Sequence, residues 1–179
     1  MSCLDNATSF VQQYSHGGSF IPITTNAIIQ DKDAVYPEIL LHYISKDGKL
    51  KVAGQADLVM VEDNIVYIHD YKTNKEIKLH SYMDPTTKQR QMMRYPLNHL
   101  EDTNYWHYAM QLSTYAWMIQ KANPEFKIGK LRLIHYSHDD KETVYEVPYL
   151  KGEVEVMLQE YKRQLTTKEA YDKLKPIEY

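Results

Sequence analysis

The stretch Asn64–Ile77, NIVYIHDYKTNKEI, decides the fold. Its first half is rich in β-branched and aromatic residues, which predicts a strand over Ile65–Lys72. Asp70 and Lys72 lie two residues apart at the end of that strand, so both project from the same face. An acid followed two residues later by lysine occurs six times in the chain, but only this pair ends an apolar strand. The pair is either a surface salt bridge or half of a metal-dependent site.

Two more strands precede this one. Alternating and apolar runs predict strands over Glu38–Ile44 and Lys51–Val61. Asp47-Gly48 is typical of a two-residue hairpin turn, and the polar segment 62–64 forms the second turn. The three strands therefore form an antiparallel meander.

The lengths of the two turns predict which carboxylates face one another. A two-residue turn at Asp63-Asn64 places Asp57 opposite Asp70, and a turn at Asp47-Gly48 places Glu38 opposite Asp57. An odd number of turn residues would send these carboxylates to opposite faces. With even turns, three carboxylates lie side by side on adjacent strands.

Such an arrangement needs a cation. Two like charges about 4 Å apart repel by roughly 4 kcal/mol at an effective dielectric near 20, and directly opposed like charges destabilise a sheet. Oxygen ligands of this kind suit a hard ion, so the expected cofactor is Mg²⁺, with Mn²⁺ as the alternative. Gly54 inside the second strand indicates that another group approaches closely there.

The remaining elements complete an α+β prediction. A helix is expected over Tyr105 to about Lys121 with its cap at Asn104, and a last helix from about Glu153 to Lys175. Between them, segments 131–138 and 143–150 predict a hairpin across Asp139-Asp140, and residues 8–15 a short helix. The expected fold is one domain over residues 1–179, with a central mixed sheet flanked by helices in an α/β/α-like arrangement.

Composition excludes several classes of protein. The single cysteine, Cys3, excludes an internal disulfide and any cysteine-built metal site. No segment approaches the roughly 20 apolar residues that cross a bilayer, and MSCLDNATSF does not resemble a signal peptide, so a cytoplasmic protein is expected. Segment 31–70 carries eight acids and four lysines, whereas segment 72–94 carries six basic residues and two acids. These are either two solvated surfaces or a metal site beside a phosphate-binding one.

The chain also resembles a known family over about residues 38–120. Glu38 in YPEILLHY, GQAD ending at Asp57, HDYKT with Asp70 and Lys72, and QLSTY from Gln111 follow one another in the order of the PD-(D/E)XK nuclease superfamily, RecB-type exonuclease branch. The resemblance implies a restriction-endonuclease-like core. It looks like a stand-alone nuclease domain of phages or bacteria, or part of a longer chain.

The resemblance also implies roles for individual residues. Asp57, Asp70 and the carbonyl of Tyr71 would hold the metal, with Glu38 binding it directly or through water. Lys72 would position the attacking water and stabilise charge that develops on the phosphate. Gln111 and Tyr115, four residues apart on one helix face, would organise the site or the DNA strand, although Tyr115 is equally typical of a core residue. Many relatives carry a histidine on an upstream helix; His16 is the candidate by position, but its surroundings are typical of a loop.

Substrate contacts outside the motifs are expected from segment 88–100, KQRQMMRYPLNHL. Lys88 and Arg90 lie there close to aromatic and methionine residues, which favours a clamp on a DNA backbone. The chain has no phosphate-binding GxxxxGK[ST] motif, so no nucleotide cofactor is expected. The predicted activity is a Mg²⁺-dependent DNA exonuclease, and the alternatives are an endonuclease of the same superfamily and a non-cleaving DNA- or protein-binding relative.

Overall fold

The computed structural model describes residues 33–139 and 141–174. Cys3, His16, the predicted helix 8–15, Asp140 and Lys175 lie outside these ranges. The secondary-structure elements in chain order are β1 Ala34–Ile44, β2 Lys51–Glu62, β3 Ile65–Lys72, α1 Asn104–Ala122, β4 Lys127–Tyr136, β5 Glu142–Val147 and α2 Lys151–Leu174.

The five strands form one mixed sheet in the order β1-β2-β3-β4-β5. Strands β1, β2 and β3 pair antiparallel, β3 and β4 pair parallel, and β5 returns antiparallel to β4. The parallel pair is possible because segment 73–103 and helix α1 carry the chain back to the start of the sheet. The predicted α+β fold, with a mixed sheet and an antiparallel meander, is confirmed.

Helix α1 packs on the sheet and α2 packs on α1. Ala109, Leu112, Ala116 and Ile119 on α1 are fully buried, and Val154 of α2 belongs to the same core. Their spacing of three and four residues is that of one helix face turned toward the core. No described helix combines the length and the apolar character that crossing a bilayer requires.

The predicted helix cap is wrong by one residue. The side-chain oxygen of Thr103 accepts a hydrogen bond from the Trp106 N–H (3.3 Å), which makes Thr103 the N-cap. Asn104 is occupied elsewhere, because its side chain accepts a bond from the Lys78 N–H (2.7 Å) and donates one to the Glu76 carbonyl (2.8 Å). The side chain that favoured a cap instead anchors the preceding segment.

The two turns of the meander differ in how well the sequence predicted them. Asp63 and Asn64 both have left-handed φ angles (50° and 61°), which is the predicted two-residue turn. The turn at Asp47-Gly48 is longer than predicted, because the Ser45 N–H donates to the Leu50 carbonyl (2.9 Å) and four residues, 46–49, lie between this hydrogen-bonded pair. The number of turn residues is still even, so the register is unchanged.

The second hairpin, predicted across Asp139-Asp140, is confirmed. The Ser137 N–H donates to the Lys141 carbonyl (3.0 Å) just beyond the paired ends of β4 and β5, Tyr136 and Glu142, so Asp139 lies midway between the strands. Strand β4 also begins at Lys127, four residues before the predicted arm, where Lys127 pairs with Ile65 at the start of β3. Pairing with β3, which the hairpin pattern does not report, extends the strand.

Candidate metal centre

The register brings the three predicted carboxylates to one level of the meander. Pro37 pairs with Leu58 and Ile39 with Ala56, so Glu38 lies across from Asp57. The β2–β3 ladder ends at Leu58 and His69, which leaves Asp57 and Asp70 as the next opposed positions. The predicted pairing of strands around these acids is confirmed.

Strand β1 is irregular at Glu38. This residue has a left-handed φ of 52°, which is sterically unfavourable for any residue with a side chain. Buried residues on β1 are Tyr36, Ile39 and Leu41, so the interval across Glu38 is three residues instead of two. Backbone strain of this kind costs about 1–3 kcal/mol and occurs preferentially at functional sites. Turn parity does not predict this break in alternation.

Asp57 lies in the middle of β2 and connects it to the end of β3. Its Oδ2 accepts a hydrogen bond from the backbone N–H of Tyr71 (2.8 Å), two residues past His69, the last β3 residue of the β2–β3 ladder. The Tyr71 ring stacks on Tyr136 with 6.3 Å between centroids and 16° between planes. Tyr71, whose carbonyl is a predicted ligand, is therefore held beside Asp57 through its N–H.

Asp70 is the most buried of the three carboxylates, with 2% of its surface exposed. Burial raises its pKa, the ammonium of Lys72 opposes that rise, and the negative charge of Asp57 adds to it. Lys72 forms an ion pair with Asp70 Oδ2, and its own side chain is 17% exposed. The Asp70–Lys72 pair is thus a buried ion pair and not a surface salt bridge.

Glu38 is exposed and held by a neighbouring amide. Gln55 Nε2 donates to Glu38 Oε2 (2.8 Å) and to the Glu38 carbonyl (3.3 Å). Partial burial raises the pKa of Glu38, and the charges of Asp57 and Asp70 raise it further. The three carboxylates therefore repel one another electrostatically, as the predicted register implies.

Helix α1 contributes a row of side chains to Lys72. The Nζ of Lys72 lies 4.4 Å from the centroid of the Tyr108 ring and donates to Gln111 Oε1 (3.4 Å). Gln111 Nε2 in turn donates to the hydroxyl of Tyr115 (2.9 Å). A Cβ on Gly54 would lie 2.6 Å from Tyr115 Cε1, so this glycine makes room for the ring. The structure thus brings Gln111 and Tyr115 to the same site as Lys72.

The carboxylates fit a hard divalent cation by chemistry but are not gathered around one point. No three His, Cys, Asp or Glu side chains of the described segments lie close enough to hold a metal ion as they stand. Each carboxylate has a protein partner instead: Gln55 for Glu38, the Tyr71 N–H for Asp57 and Lys72 for Asp70. The three carboxylates supply the oxygen donors that Mg²⁺ prefers. Binding would require Lys72 to release Asp70.

Three further residues at the site were assigned no role from the sequence. Tyr108 lies three residues before Gln111 on the same helix face, a spacing that could have identified it as a neighbour of Lys72. Gln55 pairs with Leu40 in the register, next to Glu38. His135 is buried opposite Lys72, and its Nε2 bonds the Asn74 carbonyl (2.6 Å). No sequence signal indicates this last bond, because it joins residues 61 positions apart.

The two basic residues predicted to bind substrate differ in their surroundings. Arg90 Nη1 donates to the Ser81 carbonyl (2.9 Å), and its Nε lies 3.6 Å from Glu101 Oε1, so the guanidinium organises its own segment. Lys88 lies in an exposed turn with a φ of 57°, and its N–H donates to the Asp84 carbonyl (2.9 Å). The side chain of Lys88 is therefore exposed on a turn, whereas the side chain of Arg90 is bonded to other residues of the protein.

Segment 81–102, which includes Lys88 and Arg90, exposes large apolar side chains. Tyr82 is 67% exposed and Tyr95 72% exposed. Met83 and Met92 are exposed as well, and each belongs to a short antiparallel bridge, Met83 with Arg90 and Met92 with Glu101. These bridges give segment 81–102 an ordered backbone although its sequence lacks periodicity.

No protein-family model and no curated protein sequence matches this chain. Among solved structures, it is similar to SSO0001 with a TM-score of 0.43 and 21% identity, over 73% of this chain and 50% of that one. It is also similar to a protein from Eubacterium rectale named "putative exonuclease", with a TM-score of 0.46 and 10% identity, over 91% of this chain and 50% of that one. The chain spans about half the length of both structures. At TM-scores below 0.5, the function has to be argued from the chain's own residues.

Proposed function

We propose that this protein is a metal-dependent deoxyribonuclease of the PD-(D/E)XK type, acting as an exonuclease on DNA in the cytoplasm. The observation that carries the proposal is the meeting of Glu38, Asp57 and Asp70 at one level of the sheet, with Lys72 paired to the most buried of them. A purely structural sheet gains nothing from three carboxylates whose charges repel one another. The exonuclease assignment rests on the resemblance to the RecB-type branch.

Each residue has a role that follows from its chemistry. Glu38, Asp57, Asp70 and the carbonyl of Tyr71 would hold Mg²⁺, with Mn²⁺ as a substitute. When bound, the ion would lower the pKa of a coordinated water and neutralise phosphate oxygens. Lys72 supplies a compact positive charge for a non-bridging phosphate oxygen. Gln111 and Tyr115 hold Lys72 and the adjoining strand in place.

The exposed residues of segment 81–102 would bind the DNA strand. Tyr82 and Tyr95 present aromatic faces on which bases can stack, at about 1–3 kcal/mol for each base. Lys88 would contact phosphate. Arg90 would contribute to DNA binding indirectly. Its bonds to the Ser81 carbonyl and to Glu101 fix the conformation of the segment.

The test is digestion of end-labelled linear DNA beside a closed circular DNA, in Mg²⁺, in Mn²⁺ and in EDTA. We expect metal-dependent loss of linear DNA that Asp70→Ala and Lys72→Ala both abolish. The matched control is Glu76→Ala, because Glu76 and Lys78 have the same spacing and form an ion pair (3.4 Å) that is exposed. Activity lost equally in Glu76→Ala would contradict the assignment of Asp70. Cutting of the circle would make the enzyme an endonuclease.

One observation favours a second function, binding DNA without cutting it. Each carboxylate already has a protein partner, so the site is satisfied without a cation. A binding protein would shift labelled DNA in a gel, in EDTA as well as in Mg²⁺, and leave it intact. Asp70→Ala would then leave the shift unchanged, whereas the nuclease proposal requires that cleavage be lost.

A further inference from the structure

Within the described residues Lys72 has three partners, of which one is a proposed metal ligand. The ammonium pairs with Asp70, lies 4.4 Å from the Tyr108 ring centroid and donates to Gln111 Oε1 (3.4 Å). Tyr108 and Gln111 belong to α1, whereas Asp70 belongs to β3. A cation that binds Asp70 would therefore remove one partner of Lys72 and leave the other two.

The ammonium of Lys72 and a divalent ion would compete for the same carboxylate. Asp70 is almost fully buried, and a buried carboxylate requires a counter-charge. In the structure that counter-charge is Lys72. A divalent ion would supply it instead, but only if the displaced ammonium is stabilised elsewhere, because Lys72 is itself largely buried.

We infer that Tyr108 and Gln111 form an acceptor site on α1 that holds the Lys72 ammonium after a metal ion displaces it from Asp70. The inference rests on the proposed function, since it requires a metal at Asp70. Tyr108 is then a positioning residue for Lys72 and sets the affinity of the protein for the ion. It neither binds the ion nor contacts the reacting atoms.

The direction of the effect follows from the charge state of Lys72. Before displacement, the ring faces an ammonium that Asp70 already neutralises. Afterwards it faces an ammonium without a paired carboxylate, and the attraction of the ring is stronger for the unneutralised charge. The ring therefore stabilises Lys72 more when it is displaced from Asp70 than when it is paired with it. A difference of this kind between two states is what shifts an equilibrium, so the ring favours metal binding.

The experiment is a double-mutant cycle on metal affinity, measured by calorimetry with Mn²⁺ and no DNA. We expect Tyr108→Leu to weaken Mn²⁺ binding about 3- to 10-fold, which is part of the full strength of a desolvated cation–π contact. Tyr108→Phe keeps the ring and should bind like the wild type. Lys72→Met removes the competing cation and should bind Mn²⁺ more tightly than the wild type.

The decisive comparison is Tyr108→Leu in the Lys72→Met background. There we expect no further change in Mn²⁺ affinity, because no ammonium remains to be held. A loss of the same size in both backgrounds would overturn the inference, since it would show that Tyr108 acts on the fold and not through Lys72. No loss in either background would overturn it as well.

A second readout does not depend on affinity. Lys72→Met leaves Asp70 buried without its counter-charge, so the metal-free protein should unfold at a lower temperature than the wild type, and Mn²⁺ should restore more stability to it. If neither the wild type nor Lys72→Met binds Mn²⁺, the metal site fails and the proposed function fails with it. If both bind without coupling to Tyr108, only the acceptor site is refuted.

Discussion

The meander β1–β3 and segment 81–102 both present candidate functional residues, but they are ordered by different forces. In the meander, ladder hydrogen bonds fix the register, and the register decides which side chains meet. In segment 81–102, only isolated bridges form, and side chains tie them together: Arg90 donates to the Ser81 carbonyl, and Glu101 accepts from the Ser81 N–H (2.8 Å). Position in the meander follows from alternation along the sequence, whereas position in the segment depends on individual polar contacts.

This difference predicts where single substitutions act. A substitution in the meander should lower the stability of the whole protein, because it disturbs packing between strands and against α1. A change in the segment should loosen the segment and leave the sheet intact. The following substitutions test that division, beginning with the largest effect.

Gly54→Ala should destabilise the protein most. The new Cβ would lie 2.6 Å from Tyr115 Cε1 and 3.3 Å from its hydroxyl oxygen, so the buried ring must move. Overpacking of a core typically costs about 1–3 kcal/mol, and urea unfolding would measure it. Gly152→Ala is the matched control, because nothing lies within 4 Å of a Cβ there and stability should not fall. Equal stability of both variants would contradict the tight contact between β2 and α1.

Arg90→Ala should destabilise segment 81–102 by about 1 kcal/mol, the usual net contribution of one hydrogen bond, because the Arg90 side chain is 32% exposed and water screens its charge. Hydrogen exchange should quicken at the Gln91 N–H, which donates to the Tyr82 carbonyl (3.0 Å), and remain slow in β2 and β3. Arg94→Ala is the matched control for charge, since Arg94 is exposed. Faster exchange throughout the meander would show that the two regions are not independent.

Lys88→Gln should leave stability unchanged and weaken DNA binding several-fold. Its side chain is exposed, and the proposed function gives it the role of contacting a phosphate. Removing its charge should reduce the magnitude of the slope of log affinity against log salt by about one, the value expected for a single phosphate. Lys130→Gln is the control, because Lys130 lies on β4 paired with Glu146 (3.0 Å). Equal weakening in both variants would indicate a general effect of net charge.

The same division explains which parts of the molecule the sequence predicts. The strands of the meander and the facing positions of Glu38, Asp57 and Asp70 follow from alternation and from the even parity of two turns. Parity is robust: the first turn has four residues and not two, yet the register is unchanged. The sequence predicts the β4–β5 hairpin only as two strands across Asp139-Asp140, and its register, with Tyr136 opposite Glu142, is seen only in the structure.

What the sequence does not predict depends on contacts between distant residues. The left-handed φ of Glu38, the hold of Gln55 on Glu38 and the bond from His135 to the Asn74 carbonyl have no periodic signal. Asn104 illustrates the general reason. Its side chain can either cap α1 or bind the backbone at Lys78 and Glu76, and only the folded chain decides between them.

The smallest expected effect is the dependence of segment 81–102 on pH. The pKa of Glu101 lies below its ordinary value of 4.5, mainly because its carboxylate accepts the Ser81 N–H, with His80 and Arg90 adding to the shift. A lowered folded-state pKa stabilises the folded state fully above 4.5, and this stabilisation is lost as the pH falls through the folded value. The Ser81 N–H should therefore lose protection against exchange, after correction for its intrinsic rate, as the pH falls from 4.5 through the folded-state pKa. In Glu101→Gln the amide oxygen can still accept the bond but does not titrate, so protection should be flat over the same window.

Asp84, whose pKa is lowered by the Thr87 and Thr86 N–H groups, lies in the same segment and needs its own control, Asp84→Asn. If protection in Glu101→Gln falls with pH as in the wild type, but not in Asp84→Asn, the turn at Asp84 and not the contact of Glu101 with Ser81 orders this part of the segment.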